Sequence, residues 1–355
     1  MKFNFYISLK IVTTIFIACL VSLSGCSSSK PVAEFHETVF TMGTLVEVTI
    51  IGEKSALSEK AYAAILDDFN YMHNTWHPWK PNALKRVNSL LKTGASFPLA
   101  PSILPLIKKS QILSEQSQGL FNPAIGQLVK LWGFHQDNLD EIIEPPEDSS
   151  IQVLLKQLPK MSDVKFKGLS MFGINENIQL DFGGFAKGVA VDSTIEHLKE
   201  FGIKNAIINA GGDLRAIGTK NGRPWRIGIR NPRGDGVFAA VEVSGDESVF
   251  TSGDYERYFE SNGKQYHHII DPRTGYPADK TRSVTVIHSD AATADAAATA
   301  LFIAGPEKWH EIAKAMGIKY VMLIAGNGDV HMNPTMAKRI EFIIKQPVIK
   351  LSSPL

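Results

Sequence analysis

Hydrophobic and polar positions in the first half of the chain follow two different spacings. Residues 35–51 alternate apolar and polar side chains, which predicts one or two β-strands around Met42-Gly43-Thr44. Residues 56–72 carry apolar positions at helical spacing, which predicts an amphipathic helix. The same spacing predicts helices at 102–117 and 123–131. The prolines of the aromatic loop 76–81, and the acids and prolines of 136–150, predict irregular segments instead.

The second half of the chain is richer in glycine and β-branched residues, which favour strands joined by tight turns. Runs of strands interrupted by scattered helices favour an α+β fold with mixed and antiparallel sheets over a strictly alternating parallel sheet. Helices are predicted at residues 186–201, 291–303 and 307–316. Strands are predicted at residues 178–182, 205–208, 225–229, 237–243, 249–252, 266–270, 283–288 and 320–325.

The amino-terminal segment has the pattern of an export signal. Lys2 and Lys10 accompany a short apolar run, 11–23, and the run closes on Leu23-Ser24-Gly25-Cys26. This order resembles a bacterial lipobox, in which the cysteine sulfur takes the lipid, so Cys26 is predicted to be the lipidated first residue of the mature chain. The alternative is a signal-anchor in which Cys26 is incidental. A lipid-anchored protein facing the periplasm or cell exterior is the expectation.

Composition and charge exclude several classes of protein. The chain of 355 residues is 44% hydrophobic and 21% charged, which is ample for a packed core and unlike a disordered chain. Its 37 basic and 36 acidic residues leave a net charge of +1, so no global basic footprint for nucleic acid exists. The predicted organisation is a signal peptide at 1–25, a tether at 26–34, one domain at 35–340 and a tail at 341–355.

Both cysteines of the chain, Cys19 and Cys26, lie in or next to the predicted signal. The folded body therefore has no thiols to pair, and no structural disulfide is expected.

A glycine-rich segment between a predicted strand and a predicted helix is the first candidate site. Asp181 is followed by Gly183-Gly184, and Lys187 falls in the first turn of the helix. Free N–H groups at a helix N-terminus, glycines that admit a close ligand, and a lysine can together hold a phosphate. An ordinary strand-turn-helix corner, with glycine for tight packing, explains the segment equally well. Residues 181–187 are called the glycine corner below.

The alanine-rich helix carries a second candidate set of oxygen atoms. Asp295 and Thr299 are four residues apart, so they project from one face of the helix. A carboxylate, a hydroxyl and nearby carbonyls form a hard-oxygen set suited to Mg²⁺. The alternative is that Asp295 serves the helix dipole and Thr299 bonds back to a carbonyl of the preceding turn, and spacing alone favours it.

Two further segments carry polar side chains next to turns. Thr251-Ser252-Gly253-Asp254 is a strand leading into a Ser-Gly turn, which offers hydroxyl and amide donors. His267 and His268 precede an Asp-Pro-Arg-Thr-Gly turn. Because neighbouring residues of a strand face opposite sides, one of the two histidines can face a given site. Their number and spacing do not match a zinc site.

The order of these motifs is similar to that of the ApbE-type flavin transferases, a resemblance that covers about residues 35–333. The matching segments are Met42-Gly43-Thr44, Trp132-Gly133-Phe134, residues 181–192, Asn209-Ala210-Gly211-Gly212-Asp213, residues 251–255, residues 268–275 and residues 294–299. Single motifs of this kind are weak, but several of them in order are specific. The resemblance implies a T-fold-like architecture and an exported, Mg²⁺-dependent enzyme. Such an enzyme transfers FMN from FAD to a Thr or Ser hydroxyl of an acceptor protein and releases AMP.

The resemblance also implies roles for individual residues. Residues expected at FAD are Met42, Trp76 or Trp79, Leu120, Phe121, Asn122, Asp181, Lys187, Ser252, Gly253, Asp254 and Ile270. Residues expected at the metal are Gly184 through its carbonyl, Asp295, Ala298 and Thr299. Asn122 departs from the family's usual Asp, which keeps an acceptor and loses the charge. Trp79 is favoured over Trp76, because Lys80-Pro81 follow it.

His268 is the expected base for the acceptor hydroxyl, because imidazole has a suitable ordinary pKa and His268 falls within a matching motif. A structural histidine bonded to the Asp271 turn is the alternative. Two other functions fit the sequence: an FAD pyrophosphatase that yields FMN and AMP, and a non-enzymatic flavin-binding lipoprotein. The family leads us to expect an acceptor among subunits of a respiratory electron-transfer complex.

Overall fold

The first two strands form a hairpin. The computed structural model describes residues 32–136, 144–344 and 347–355. Within them β1 (Glu34–Thr41) and β2 (Thr44–Ile51) pair antiparallel along their full length. Met42 and Gly43 both have positive φ, at 51° and 77°, as a two-residue type I′ turn requires. The predicted pair of strands around Met42-Gly43-Thr44 is confirmed.

The remaining elements follow in mixed order along the chain. The helices are α1 (Ser55–Trp76), α2 (Ala83–Leu91), α3 (Leu104–Gln116), α4 (Gly126–Leu131), α5 (Asp148–Lys156), α6 (Ala186–Glu200), α7 (Ala291–Ala315) and α8 (Pro334–Ala337). The strands are β3 (Phe97–Pro98), β4 (Val164–Lys167), β5 (Ser170–Gly173), β6 (Ala206–Ala210), β7 (Asp213–Gly218), β8 (Trp225–Arg230), β9 (Val237–Val243), β10 (Gly245–Gly253), β11 (Tyr258–Ser261), β12 (Lys264–His267), β13 (Thr281–His288), β14 (Tyr320–Ala325), β15 (Val330–Met332), β16 (Ile340–Phe342) and β17 (Ile349–Leu351).

A large sheet forms the centre of the unit spanning Glu34–Leu355. In the described part of the chain it has nine strands in the order β1-β2-β6-β7-β10-β13-β14-β15-β17, and neighbours are antiparallel except for β15 and β17. Smaller sheets are β16-β9-β8, β3-β5-β4 and β11-β12. This mixed and antiparallel arrangement with packed helices confirms the α+β prediction.

The two faces of the large sheet bury different partners. Consecutive residues of a strand face opposite sides. Val286 therefore packs into the main core with α1, α6 and α7, while Ile287 packs against the small sheet β16-β9-β8. A third cluster surrounds Trp132 and Phe259. The helix layer on one face matters most here, because α6 and α7 carry the candidate site.

Several predicted elements differ from those observed. Residues 178–182 are extended but form one isolated bridge, Ile125 with Gln179, instead of a strand. Asn88 satisfies the backbone of Leu180, because it donates to the Leu180 carbonyl at 2.9 Å and accepts from the Leu180 N–H at 2.8 Å, while Gln179 and Asp181 bond to the backbone of residues 123–126. The segment predicted as strand 266–270 ends at His267, so His268 lies beyond β12. The elements that were not predicted are α2, α5, α8, β3, β4, β5, β7, β11, β15, β16 and β17.

The boundaries near the chain ends also change. Residues 341–355 are not a separate tail, because β16 pairs with β9, β17 pairs with β15, and Leu355 packs against the main core. α5 begins at Asp148, inside the segment predicted to be irregular, of which 137–143 lie outside the described residues. α7 is broken at Gly305, where φ is 71°, and Pro306 follows. This matches the two helices predicted there.

The predicted signal peptide, Cys26 and most of the tether lie outside the described residues. Across the stretches that the structure does describe, no helix has the length and apolar character to cross a membrane.

Candidate functional site

Two turns of the large sheet lie side by side at the same end. The hairpin turn at Met42-Gly43 adjoins the turn at Gly211-Gly212, because the Gly211 N–H donates to the Leu45 carbonyl at 3.0 Å. A Cβ on Gly211 would lie 2.2 Å from Thr44 Oγ1, so glycine is needed for this approach. The end of β10 joins them, since the Thr251 N–H donates to Asp213 Oδ1 at 2.8 Å.

The glycine corner approaches this end of the sheet from the helix layer. Asp181 Oδ1 accepts from the Gly183 N–H at 2.9 Å, which fixes the turn. A Cβ on Gly184 would lie 3.5 Å from Thr299 Oγ1 and 3.6 Å from the Phe121 ring. The structure therefore brings Gly184 and Thr299 together, as predicted from the resemblance, and places Phe121 beside them.

Lys187 lies among carboxylates. Its ammonium forms an ion pair with Asp213, whose side chain is only 5% exposed. Desolvation alone would lower the pKa of Lys187, but attraction by Asp213, Glu256 and Asp295 outweighs it and the net shift is upward. Desolvation, with repulsion from Asp213 and Asp295, raises the pKa of Glu256, while Lys187 opposes that shift.

Asp295 is the carboxylate among the proposed metal ligands, and it is 5% exposed. One of its oxygens, Oδ2, accepts from the Gly188 N–H at 3.0 Å. Burial, with repulsion from Asp213, raises the pKa of Asp295 to about 7, against the attraction of Lys187. Asp213, Glu256 and Asp295 outnumber the single charge of Lys187 in this cluster. Bound protons relieve this surplus near neutral pH, because the pKa of Asp295 is about 7 and that of Glu256 about 8, and a cation that binds there displaces them.

The donor set fits a hard divalent cation. Thr299 Oγ1 lies 3.5 Å from Ser252 Oγ, and Asp295 and Gly184 flank it. Carboxylate, hydroxyl and carbonyl oxygens are the ligands that Mg²⁺ takes, usually with waters and substrate phosphates. Ala298 is buried on the same helix. No group of three or more His, Cys, Asp or Glu side chains in the described ranges could hold a metal, so the site does not resemble a zinc centre.

The two candidate tryptophans have different environments. Trp76 is the last residue of α1, is 9% exposed, and donates from Nε1 to the Ser102 carbonyl at 3.2 Å. It is a core residue, which corrects its candidacy as a ligand contact. Trp79 is half-buried, packs edge-on against His135 at 5.5 Å between ring centroids, and forms a hydrogen bond that lowers the pKa of Asp181. Desolvation outweighs this bond, so the pKa of Asp181 is raised overall.

Several other predicted contacts are engaged within the protein. Asn122 donates to the Pro159 carbonyl at 2.9 Å and accepts from the Ala124 N–H at 3.2 Å, so both ends of its amide hold a loop. Leu120 and Ile270 are buried in two different apolar clusters. Met42 is half-buried at the hairpin turn. Of these, Met42 is the one whose position at the end of the sheet fits the predicted pocket.

Asp254 is held between two guanidinium groups. It accepts from Arg233 Nη1 at 3.0 Å and from Arg282 Nη1 at 3.2 Å, and its side chain is 6% exposed. The carboxylate of Asp254 is paired within the protein, and its contact with FAD stays a prediction. The Tyr255 ring packs directly against Gly253, because a Cβ on Gly253 would lie 2.5 Å from that ring.

The two histidines also differ. His267 is 6% exposed, and its Nε2 shares a hydrogen bond of 2.7 Å with the Ala278 carbonyl, so it is structural. His268 is half-buried, and its Nδ1 lies 3.2 Å from the Arg257 carbonyl. A carbonyl accepts only, so Nδ1 of the neutral ring donates and Nε2 keeps its lone pair. Desolvation, with repulsion from His267 and Arg257, lowers the pKa of His268 to about 3.

Residue-by-residue reasoning missed Asp213, Glu256 and Arg257. Asp213 ends the Asn209-Ala210-Gly211-Gly212-Asp213 motif and follows two glycines of positive φ, which was the available signal. Glu256 and Arg257 come three and four residues after Gly253 of the Ser-Gly turn, but nothing in their spacing pointed to the glycine corner.

Comparison with known proteins gives a consistent family. The ApbE family profile matches residues 42–322. The chain is 40% identical over 88% of its length to a protein of Rhodobacter capsulatus named FAD:protein FMN transferase, of which it spans 60%. It is 30% identical over 87% of its length to a Vibrio cholerae protein of the same name, of which it spans 92%.

Solved structures agree with these relatives. The ApbE protein of Thermotoga maritima superposes with a TM-score of 0.79 at 31% identity, over 86% of this chain and 99% of that one. The flavinyl transferase ApbE of Pseudomonas stutzeri, in its apo form, gives 0.72 at 30% identity, over 83% of this chain and 92% of that one.

Proposed function

Since this chain belongs to the ApbE family, we propose that it transfers FMN from FAD to a Ser or Thr hydroxyl of an acceptor protein, with release of AMP and with Mg²⁺ as cofactor. The observation that carries the proposal is the meeting of the glycine corner with α7. There Gly184 lies against Thr299, and Gly188 is bonded to Asp295. Lys187 precedes Gly188 and interacts electrostatically with Asp295, and its ammonium supplies positive charge for a pyrophosphate.

The metal would be held by Asp295, Thr299 and the Gly184 carbonyl, with the Ala298 carbonyl as a further candidate. A divalent cation there supplies neutralisation of the charge that develops on phosphate oxygens. The ammonium of Lys187 binds and orients the diphosphate, because the Ala186 and Gly188 N–H groups at the start of α6 already donate to the Phe182 carbonyl and to Asp295. We propose that Met42 and Trp79, which are half-buried, contact the flat rings of FAD, together with Phe121, whose ring lies beside Gly184.

His268 is proposed to accept the proton of the acceptor hydroxyl at Nε2, because Nδ1 is held by the Arg257 carbonyl. With a pKa near 3 the ring is neutral at pH 7 but weakly basic. Lys187 and Arg257 contribute to that low pKa. The phosphates of bound FAD would offset these two contributions and leave the larger one, desolvation, in place.

An acceptor protein is the partner that this reaction requires, and we propose a subunit of a respiratory electron-transfer complex. We also propose that Cys26 carries lipid and places the domain on the outer side of a bacterial membrane. Cys26→Ala should then accumulate an uncleaved or mislocalised precursor, measured by membrane fractionation and mass spectrometry. Normal cleavage and lipid attachment in this variant would refute the anchor.

The test of the transfer is incubation of the protein with FAD, Mg²⁺ and an acceptor protein, followed by in-gel flavin fluorescence and measurement of free AMP. The control is the same acceptor with its target Thr replaced by Val. Transfer predicts a fluorescent acceptor band and stoichiometric AMP, both lost in the control. AMP and FMN without a labelled band would establish the pyrophosphatase alternative. Bound FAD without either product would establish a flavin-binding protein.

A further inference from the structure

α6 and α7 touch at two points that lie one helical turn apart on each helix. At one point the Gly188 N–H donates to Asp295 Oδ2. At the other, Asp192 accepts from the Ala291 N–H at 2.8 Å and from the Ala292 N–H at 3.0 Å. Because helical residues four apart share a face, both contacts lie along one seam between antiparallel helices. The second contact joins the start of α7 directly to the helix that begins at the glycine corner.

The N-terminus of α7 depends on Asp192 for two of its hydrogen bonds. The first four N–H groups of a helix have no partner within it. The N-cap, Asp290, serves one of them, because its side chain accepts from the Thr293 N–H at 2.7 Å, and its own N–H donates to His288 Nδ1 at 2.9 Å. The N–H groups of Ala291 and Ala292 are the ones that Asp192 takes.

Arg215 supports this carboxylate from the sheet. Its side chain is 8% exposed, and Nη1 lies 2.6 Å from Asp192 Oδ1. The same guanidinium binds Asp246, with Nε 2.7 Å from Oδ1 and Nη2 2.9 Å from Oδ2. Asp246 makes no hydrogen bond with α7 among those that the described residues show. It therefore shares the ion-pair network with Asp192 and lacks the contact to the helix.

The seam leaves little freedom for the helices to shift. A Cβ on Gly188 would lie 2.4 Å from the Ala291 carbonyl oxygen and 2.7 Å from the Ala292 Cα. Asp295 lies one turn beyond Ala291 on α7, and Thr299 one turn further. A displacement at the start of α7 therefore also moves the two proposed metal ligands, Asp295 and Thr299.

We propose that Asp192 is a positioning residue, which fixes the start of α7 against α6 and so holds Asp295 and Thr299 opposite Gly184 for the divalent cation. The inference rests on the metal role in the proposed function. Asp192 touches neither substrate nor metal. It acts through the two backbone N–H groups.

The test compares Asp192→Asn with Asp246→Asn in the full-length protein. The probe is Mn²⁺, and its free concentration is read from the electron paramagnetic resonance signal in the presence of FAD. Asp192→Asn should weaken Mn²⁺ binding roughly 10- to 100-fold, as loss of a group supporting a metal ligand does. FAD affinity without metal should change far less. The KM for Mg²⁺ should rise, and saturating Mg²⁺ should restore much of kcat.

Asp246→Asn is the matched control, because it removes a carboxylate from the same arginine. It should leave Mn²⁺ affinity unchanged. Equal losses of Mn²⁺ affinity in both variants, or none in Asp192→Asn, would overturn the positioning role while leaving the proposed function in place. Failure of the wild-type protein to bind Mn²⁺, with transfer unaffected by a chelator, would overturn both.

Ala291→Pro is the second variant if Asp192→Asn does not fold. Proline is favoured at the first position of a helix, and the preceding residue, Asp290, is extended with φ of −112° and ψ of 115°. This change removes one N–H bonded to Asp192 and keeps every charge. It should weaken Mn²⁺ binding in the same direction, and an unchanged affinity would contradict the proposal.

Discussion

Two carboxylates near the end of the large sheet, Asp295 and Asp254, are buried to the same degree, at 5% and 4% exposure. Asp254 lies between Arg233 and Arg282, so its charge is neutralised within the protein. Asp295 shares Lys187 with Asp213 and Glu256, and its pKa is raised to about 7 by burial and repulsion. A buried acid that the fold has already paired supports structure, whereas one left in surplus negative charge is available for a cation or substrate.

The largest expected effect is loss of transfer in Asp295→Ala. Removing the charged ligand leaves Thr299 and a carbonyl, which cannot hold Mg²⁺ firmly, so transfer should fall by roughly 10³-fold or more. FAD binding should weaken less, because Lys187 and the aromatic residues remain. Transfer is measured as flavin labelling of the acceptor protein. FAD binding is measured separately, by titration of the quenching of flavin fluorescence. Transfer that persists in this variant, or in wild-type protein with Mg²⁺ chelated, would mean that the unpaired carboxylate is not the functional one.

The second effect concerns the base. His268→Asn should preserve folding and FAD affinity but reduce transfer on the order of 10²- to 10⁴-fold at neutral pH, the usual range for general-base catalysis. The deficit should shrink as pH rises, because hydroxide then removes the proton.

His267→Asn is the matched control. His267 bonds the Ala278 carbonyl and packs against Phe302, so its loss should reduce stability more than the activity of the folded fraction. Equal, modest losses of transfer in both variants would move the base elsewhere, with Glu256 the first carboxylate to examine.

The third effect separates stability from activity at Asp254. Asp254→Asn leaves two guanidinium groups with a neutral partner and should lower the free energy of unfolding by about 1–3 kcal/mol. A larger loss of stability is not expected, because the Arg233 and Arg282 side chains are 44% and 37% exposed and water screens their charges. Urea denaturation measures the loss. A collapse of transfer with unchanged stability would place Asp254 in the substrate site.

Sequence reasoning identified the motifs but could not determine which of their side chains are engaged within the protein. Asp295 and Thr299 lie on one face whenever their segment is helical, and α7 is a helix over both positions. Trp76 and Trp79 differ by three positions, and whether each indole enters the core depends on where α1 ends. Asp254 gave no sign of its partners, which lie 21 and 28 residues away: Arg233 is in the connection between β8 and β9, and Arg282 is on β13, the strand that pairs with β10.

Asp213 was not predicted as a site residue for the same reason. Its role depends on Lys187, 26 residues earlier, and on the Thr251 N–H, 38 residues later. Contacts of such separation follow from topology, which periodicity does not encode. The longer helices and most central strands, by contrast, depend on local spacing and were predicted, whereas β7, which begins at Asp213, was not.

The smallest expected effect has the opposite sign from the Asp254 result. The pKa of Asp295 is about 7 in the folded, metal-free protein and near 4 in the unfolded chain, so between these values the folded state binds more protons. Stability contributed by the protonated carboxyl is therefore lost as pH rises through 7. Asp295→Asn removes the ionisable group, so we expect it to be more stable than wild type at pH 8, by on the order of 1 kcal/mol, in the presence of a chelator. The gain should vanish near pH 4, where the wild-type carboxyl is already protonated in the fold. Urea midpoints measured at both pH values decide the matter: a destabilised variant at pH 8 would show that Asp295 is as well paired as Asp254, and the contrast between the two carboxylates would fail.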